Sequence, residues 1–164
     1  STFGLQVAYS KEEGSLLGTG GALRKALPLL GEEFFVLYGD SWLEIDYPAV
    51  LKAFKKSTLP ALMTVFRNEG HWDTSNVELQ AGKIQLYSKA QRNERMSHID
   101  YGLGILTRAL LEAYPEQQTF DLAEVYEQLS RQHRLASYEA TQRFYEIGSP
   151  SGLEELNLKF RDEV

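Results

Sequence analysis

Apolar positions along the chain follow two rhythms that alternate from one end to the other. Short β-rich or continuously apolar runs read as strands at 4–10 (GLQVAYS), 34–38 (FFVLY), 61–66 (ALMTVF), 101–107 (YGLGILT) and 135–140 (LASYEA). Unbroken runs such as FFVLY and ALMTVF are what a strand buried on both faces of a sheet requires. Between the runs, apolar residues gather on one side of a helix. Ala22, Leu23, Ala26 and Leu27 do so, as do Val50, Leu51 and Phe54 behind Pro48. Leu122, Val125, Tyr126 and Leu129 follow Asp121 and Glu124, which have capping-box spacing. SPSGLEELNLKF opens a last helix with Ser149 as its cap and Pro150 as its first residue.

Residues 76–89 break the pattern. Val77 and Leu79, then Ile84 and Leu86, alternate around Ala81-Gly82, the period-2 signature of a hairpin with one covered face. Strands alternating with helices predict an α/β fold with a mostly parallel, mixed sheet and this hairpin as an excursion. No repeat, low-complexity tract or linker divides residues 1–164, so a single domain is expected.

Composition narrows the function. At 43% hydrophobic and 24% charged residues over 164 positions, the chain can bury one sizeable core. A net charge of −6 without basic clusters argues against a nucleic-acid partner. The absence of cysteine removes disulfides, thiolate nucleophiles and cysteine-rich zinc sites, and favours a cytoplasmic setting. EFFVLYG, the longest apolar run, is too short to span a bilayer, and no signal-peptide pattern is present, so no membrane role is expected. The first residue is Ser1, in a strand-like segment, so a longer parent protein is expected.

Candidate chemistry lies where predicted strands end. Asp40 follows FFVLYG, a position from which a carboxylate can hold a hard cation such as Mg²⁺ or simply cap a turn. Glu146 follows two aromatics and precedes Gly148 at the mouth of the last helix, and two such acids can hold one metal between them. The same GDSW stretch also looks like the nucleophile motif of GDSL-type serine esterases, with Ser41 as nucleophile. That reading needs a histidine base, and none of His71, His98 and His133 stands in the late Asp-x-x-His pairing.

Five segments taken in order, LGTGGALRKALPLL, FFVLYGDSWLEIDYPAVLKAF, WDTSNVELQAGKIQLYSK, HIDYGLGIL and FYEIGSPSGLEEL, resemble the sugar-1-phosphate nucleotidyltransferases over nearly the whole chain. The likeness is strongest to the bacterial D-glycero-D-manno-heptose 1-phosphate and mannose-1-phosphate guanylyltransferase-like group. It implies a Rossmann-like α/β/α sandwich and an enzyme that joins an NTP, with GTP favoured, to a sugar 1-phosphate, releasing pyrophosphate with Mg²⁺. It further implies Asp40 and Glu146 as metal ligands, although many members carry aspartate at the second position. Leu17, Gly18, Thr19, Gly20 and Gly21, with Asp40, match the nucleotide-binding positions, the glycines letting the backbone approach a flat base. Asn76, Asp100, Tyr101 and Gly102 match sugar-binding positions. Lys89 matches the lysine of a Glu-Lys-Pro stretch, here YSKA, and is expected to hold the sugar phosphate, although a lysine there can equally be a solvated hairpin residue.

The family's upstream triphosphate loop, Gly-Gly-x-Gly-Thr-Arg-Leu-x-Pro, has no counterpart in these residues. The expectation is therefore a domain lacking its first strands, inactive on its own and with an open sheet edge that invites self-association. A catalytically dead, nucleotide-binding regulatory homologue is the alternative.

Overall fold

The computed structural model describes residues 4–116 and 118–162. Its frame is a six-stranded sheet with β6 (His98–Thr107) at the centre. On one side β6 pairs antiparallel with β3 (Ala61–Arg67), and β3 pairs in parallel with β7 (Leu135–Ala140). The other edge of β6 is shared. β1 (Glu33–Leu37) takes residues 103–107, while the β4–β5 hairpin (Val77–Gln80, Lys83–Tyr87) joins at His98. A two-residue ribbon, β2 (Ser41–Trp42) with β8 (Tyr145–Glu146), stands apart from the sheet.

Helices cover both faces. α1 (Gly18–Ala26), the 3₁₀ turn that follows it, α3 (Arg108–Glu112) and α4 (Leu122–Arg131) pack one face through Leu23, Leu27, Leu111, Leu122, Val125, Tyr126 and Leu129, in one cluster with Met63, Val65 and Leu106. α2 (Tyr47–Ser57) covers the other face, setting Val50 and Phe54 on Leu62, Leu103 and Ile105. α5 (Pro150–Asp162) follows β8. Asp46 caps α2 by accepting from the Ala49 amide at 3.0 Å, and Asp121 caps α4 by accepting from the Ala123 amide at 2.9 Å. Ser149 caps α5, accepting from the Gly152 amide at 3.1 Å. Among the described residues, no helix is long and apolar enough to cross a membrane.

The α/β class, the layered helices and the hairpin at Ala81-Gly82, both residues with positive φ, are as expected. Within the sheet, β3–β7 is the parallel pair among the described residues, and β6 runs antiparallel to all its partners. Alternation of strand and helix could not reveal this, because strand direction depends on which edge a connection returns to.

Three local expectations change. Residues 4–10 form no strand, and Leu5, Val7 and Tyr9 are exposed. β1 is not buried on both faces: Phe34 and Val36 pack into the core on the α1 side, while Phe35 and Leu37 stay 39% and 48% exposed, β1 pairing only with β6 among the described residues and Phe35 meeting the edge of Tyr47. Leu51 is turned further outward than Val50 and Phe54 and is exposed.

The sheet irregularity that matters for function lies in β6. Met63 pairs with Gly104 and Val65 with Asp100, so Tyr101–Leu103 stand opposite Thr64 alone. Gly102 takes φ +95° there, a conformation that excludes most side chains, and the Thr64 hydroxyl secures the bulge by donating to the Leu103 carbonyl at 2.6 Å. The bulge coincides with the gap between β1 and β4.

Candidate functional site

A short chain of bonds assembles the site around that gap. Beyond β1, the Tyr38 amide donates to the Gly102 carbonyl at 3.3 Å, and the chain turns through Gly39 and Asp40 into β2. On the opposite side of the gap, Asn76 precedes β4. Its side-chain oxygen accepts from the Asp100 amide at 3.0 Å, and its own amide donates to the His98 carbonyl at 2.9 Å. Asp100 Oδ1 in turn accepts from the Gly102 amide at 3.0 Å.

The carboxylates bring their own electrostatics. Burial pushes the Asp100 carboxyl up to about 6, against the lowering effects of the Gly102 amide and the Lys89 charge. Asp121 is held below the usual carboxylate range, chiefly by the Ala123 amide, then by the Thr19 hydroxyl and Lys89. Burial raises the Tyr38 phenol, and Asp100, Asp121 and Asp40 add to the rise. The charges of Asp100, Asp121 and Asp40 thus all bear on Tyr38, and the charge of Lys89, an exposed residue, bears on Asp100 and Asp121.

The second acid reaches the site through the β2–β8 ribbon. Ser41 pairs with Glu146 across it, and the Ile147 amide donates to the Asp40 carbonyl at 2.7 Å. Glu146 Oε1 and Asp40 Oδ2 both point at the place a side chain would occupy on Gly148, 2.4 and 3.4 Å from an ideal Cβ there. Because residue 148 has no side chain, both carboxylates can approach the same point, and such a pair suits a hard divalent cation between them, Mg²⁺ commonly completing its octahedron with water and substrate phosphates.

No family profile matches the sequence. The chain is 24% identical over 147 residues to the D-glycero-α-D-manno-heptose 1-phosphate guanylyltransferase of Campylobacter jejuni, covering 90% of this chain and 64% of that protein. It is 27% identical over 160 residues to the N-acetylmuramate α-1-phosphate uridylyltransferase of Neisseria meningitidis, covering 94% and 67%. Its fold matches that of a Bacillus anthracis protein assigned as a glucose-1-phosphate thymidylyltransferase, with a TM-score of 0.81 at 16% identity over 98% of this chain and 67% of the other. The chain is thus similar in sequence and fold to sugar-1-phosphate nucleotidyltransferases. It spans about two thirds of the length of the curated relatives it matches.

In the structure, Asp40 and Glu146 come together, and Asn76, Asp100 and Gly102 are bonded in one cluster with Lys89 nearby. Tyr101 departs from the expected contact surface. Its ring is 1% exposed and packs against Phe66 and Phe144, because alternation along β6 turns it into the core.

The glycine stretch also changes meaning. It forms the first turn of α1 rather than a loop ahead of it. The Gly20 and Gly21 amides both donate to the Phe120 carbonyl, at 3.1 and 3.3 Å, and both residues are buried. A Cβ on Gly20 would lie 2.3 Å from the Phe120 ring, and one on Gly21 would lie 2.7 Å from the Gln118 carbonyl. These two glycines let α1 close onto the segment before α4, which removes them from a base-contacting surface. Gly18 and Thr19 stay exposed and Leu17 partly so. The Thr19 hydroxyl donates to Asp121 Oδ1 at 2.8 Å, which ties this surface to the Lys89 side of the site.

Tyr38, whose ring lies 3.7 Å from the position of a Gly102 Cβ, and Asp121, bonded to Thr19, are further candidates that sequence reasoning missed. Asp121 read only as a helix cap and Tyr38 only as the end of a strand, and no local signal separates these roles. The esterase arrangement is absent among the described residues. The Ser41 hydroxyl reaches Asp40 Oδ1 at 3.4 Å, while His71 bonds Asn68, His98 bonds Ser97 and Glu139, and His133 sits in an exposed left-handed turn.

Proposed function

We propose that the protein of which this chain forms part transfers a nucleotidyl group from an NTP to a sugar 1-phosphate, giving an NDP-sugar and pyrophosphate. The observation that carries the reading is the convergence of Asp40 and Glu146 at Gly148, beside a polar cluster containing Asp100, Asn76 and Lys89. The similarity to these transferases supports the reaction class. The relatives are a guanylyl-, a uridylyl- and a thymidylyltransferase by name, so GTP rests on the sequence likeness alone.

In this reading the ionised oxygen of the sugar phosphate attacks the α-phosphorus in line and pyrophosphate departs, so no general base is needed. Asp40 and Glu146 would hold Mg²⁺, which when bound supplies charge neutralisation to the phosphoryl oxygens. Lys89 draws the sugar phosphate in as a point charge and offsets the repulsion of Asp100 and Asp121. Asn76 and Asp100 face the sugar, and Gly18, Thr19 and Leu17 face the nucleotide. A cytoplasmic setting is consistent with the absence of cysteine.

The test is pyrophosphate release by the full-length protein with GTP, UTP, dTTP or CTP and a panel of hexose and heptose 1-phosphates in Mg²⁺. Turnover that Asp40→Asn abolishes supports the enzyme. A nucleotide-dependent rise in melting temperature without turnover under any combination would replace it with a regulatory nucleotide-binding role.

A further inference from the structure

The second acid of the site is a glutamate, one methylene longer than aspartate, and three neighbouring residues fit that extra length. Oε1 lies 2.4 Å from the position of a Gly148 Cβ, so any larger residue there would displace the carboxylate. Oε2 accepts from the Ser149 hydroxyl at 3.0 Å and lies 3.1 Å from the position of a Gly152 Cβ. The Glu146 carbonyl is closer still to that position, at 1.9 Å, so the first turn of α5 can approach β8 only without a side chain at residue 152. Ser149 does two jobs with one oxygen: it accepts from the Gly152 amide at 3.1 Å as the helix cap and donates to Glu146. Bonding in this way fixes one carboxylate oxygen and leaves the other aimed toward Asp40.

We propose that Ser149 is a positioning residue, and that with Gly148 and Gly152 it folds the longer Glu146 side chain back so that Oε1 shares the Asp40 position. The inference rests on the metal role given to Asp40 and Glu146 above. The glutamate occupies the space that Gly148 leaves empty, the Ser149 hydroxyl sets its rotamer, and the β2–β8 ribbon delivers it opposite Ser41. The site is thereby built for glutamate rather than merely tolerant of it.

Binding of Mn²⁺ alone, without nucleotide, provides the test. Paramagnetic broadening of the Ile147 amide, whose donor bond goes to the Asp40 carbonyl, is followed by NMR as Mn²⁺ is added. Removing an outer partner of a metal ligand commonly lowers affinity by 10- to 100-fold, and loss of one hydroxyl belongs at the low end. Ser149→Ala and Gly148→Ala should each raise the Mn²⁺ midpoint roughly tenfold, while Ser149→Thr, which keeps the hydroxyl, should stay near the starting value.

Gly148→Ala leaves the α5 cap intact, so it separates positioning from capping. In a Glu146→Asp background, whose shorter carboxylate clears residue 148, Gly148→Ala should change the midpoint less than twofold. Equal losses in the two backgrounds, or a wild-type midpoint in both Ser149→Ala and Gly148→Ala, would overturn the inference while leaving the metal reading in place. An Ile147 amide that Mn²⁺ never broadens in the wild-type protein would overturn both.

Discussion

Asp100→Asn should make the folded chain more stable at neutral pH and change it little in acid. The Asp100 carboxyl has an ordinary value of 3.8 and is pushed up to about 6 in the folded state, with burial as the leading cause. A raised acid means that the folded state binds more protons than the unfolded state between those two values, so stability falls as pH rises through that window. At 1.36 kcal/mol per pH unit, the ionised carboxylate destabilises the fold by about 1 kcal/mol at pH 4.5 and about 3 kcal/mol above pH 7. Asparagine carries no charge, and its side-chain oxygen can still accept from the Gly102 amide. Urea denaturation of both proteins at intervals from pH 4.5 to 8 measures the difference. The expected curve favours Asp100→Asn by a margin that grows with pH and levels off at about 2–3 kcal/mol. A margin that is flat with pH, or a variant less stable at pH 8, would refute the claim that a buried charge is carried at this position.

The other expectations follow from close contacts and charge. Gly20→Ala should lose about 1–2 kcal/mol in urea unfolding despite the better helix propensity of alanine, because the new methyl would meet a Phe120 ring held by stacking on Tyr114 at 4.5 Å. Lys89→Gln should raise the KM for sugar 1-phosphate about tenfold or more in the full-length enzyme with a smaller effect on the KM for nucleotide, measured by pyrophosphate release. The same variant should also move the Asp100 transition to higher pH, since the Lys89 charge lowers it, and a side-chain carboxyl NMR titration checks this. Ser41→Ala should retain nucleotidyl transfer within about threefold, whereas Asp40→Asn should lose 100-fold or more. Loss of turnover in Ser41→Ala would reopen the nucleophile reading of GDSW.

Part of the local structure was legible. Element types over 48–57, 61–67, 77–87 and 122–131, and the caps at Asp121 and Ser149, follow from periodicity and from side chains that satisfy the amides of their own helix. Asp40 and Glu146 stood out because each ends an apolar run, although spacing could not pair them across 105 intervening residues. The pairing comes from a ribbon of two residues on each side, too short to leave a pattern. The exposed half of β1 and residues 4–10 look like buried strands in sequence, because burial is a property of what lies across from a residue.

The glycines of GTGGAL show the same division. Their number signals close approach to something, and only the fold reveals that for Gly20 and Gly21 the neighbour is Phe120. Tyr38 and Asp121 join the candidates only through the fold, Tyr38 by donating its amide to the Gly102 carbonyl and Asp121 by accepting from the Thr19 hydroxyl. Charges and contacts between residues distant in sequence are created by topology, so the chemistry of this chain was legible as a set of candidates, and the bulge at Gly102 and the ribbon at Glu146 made them one site.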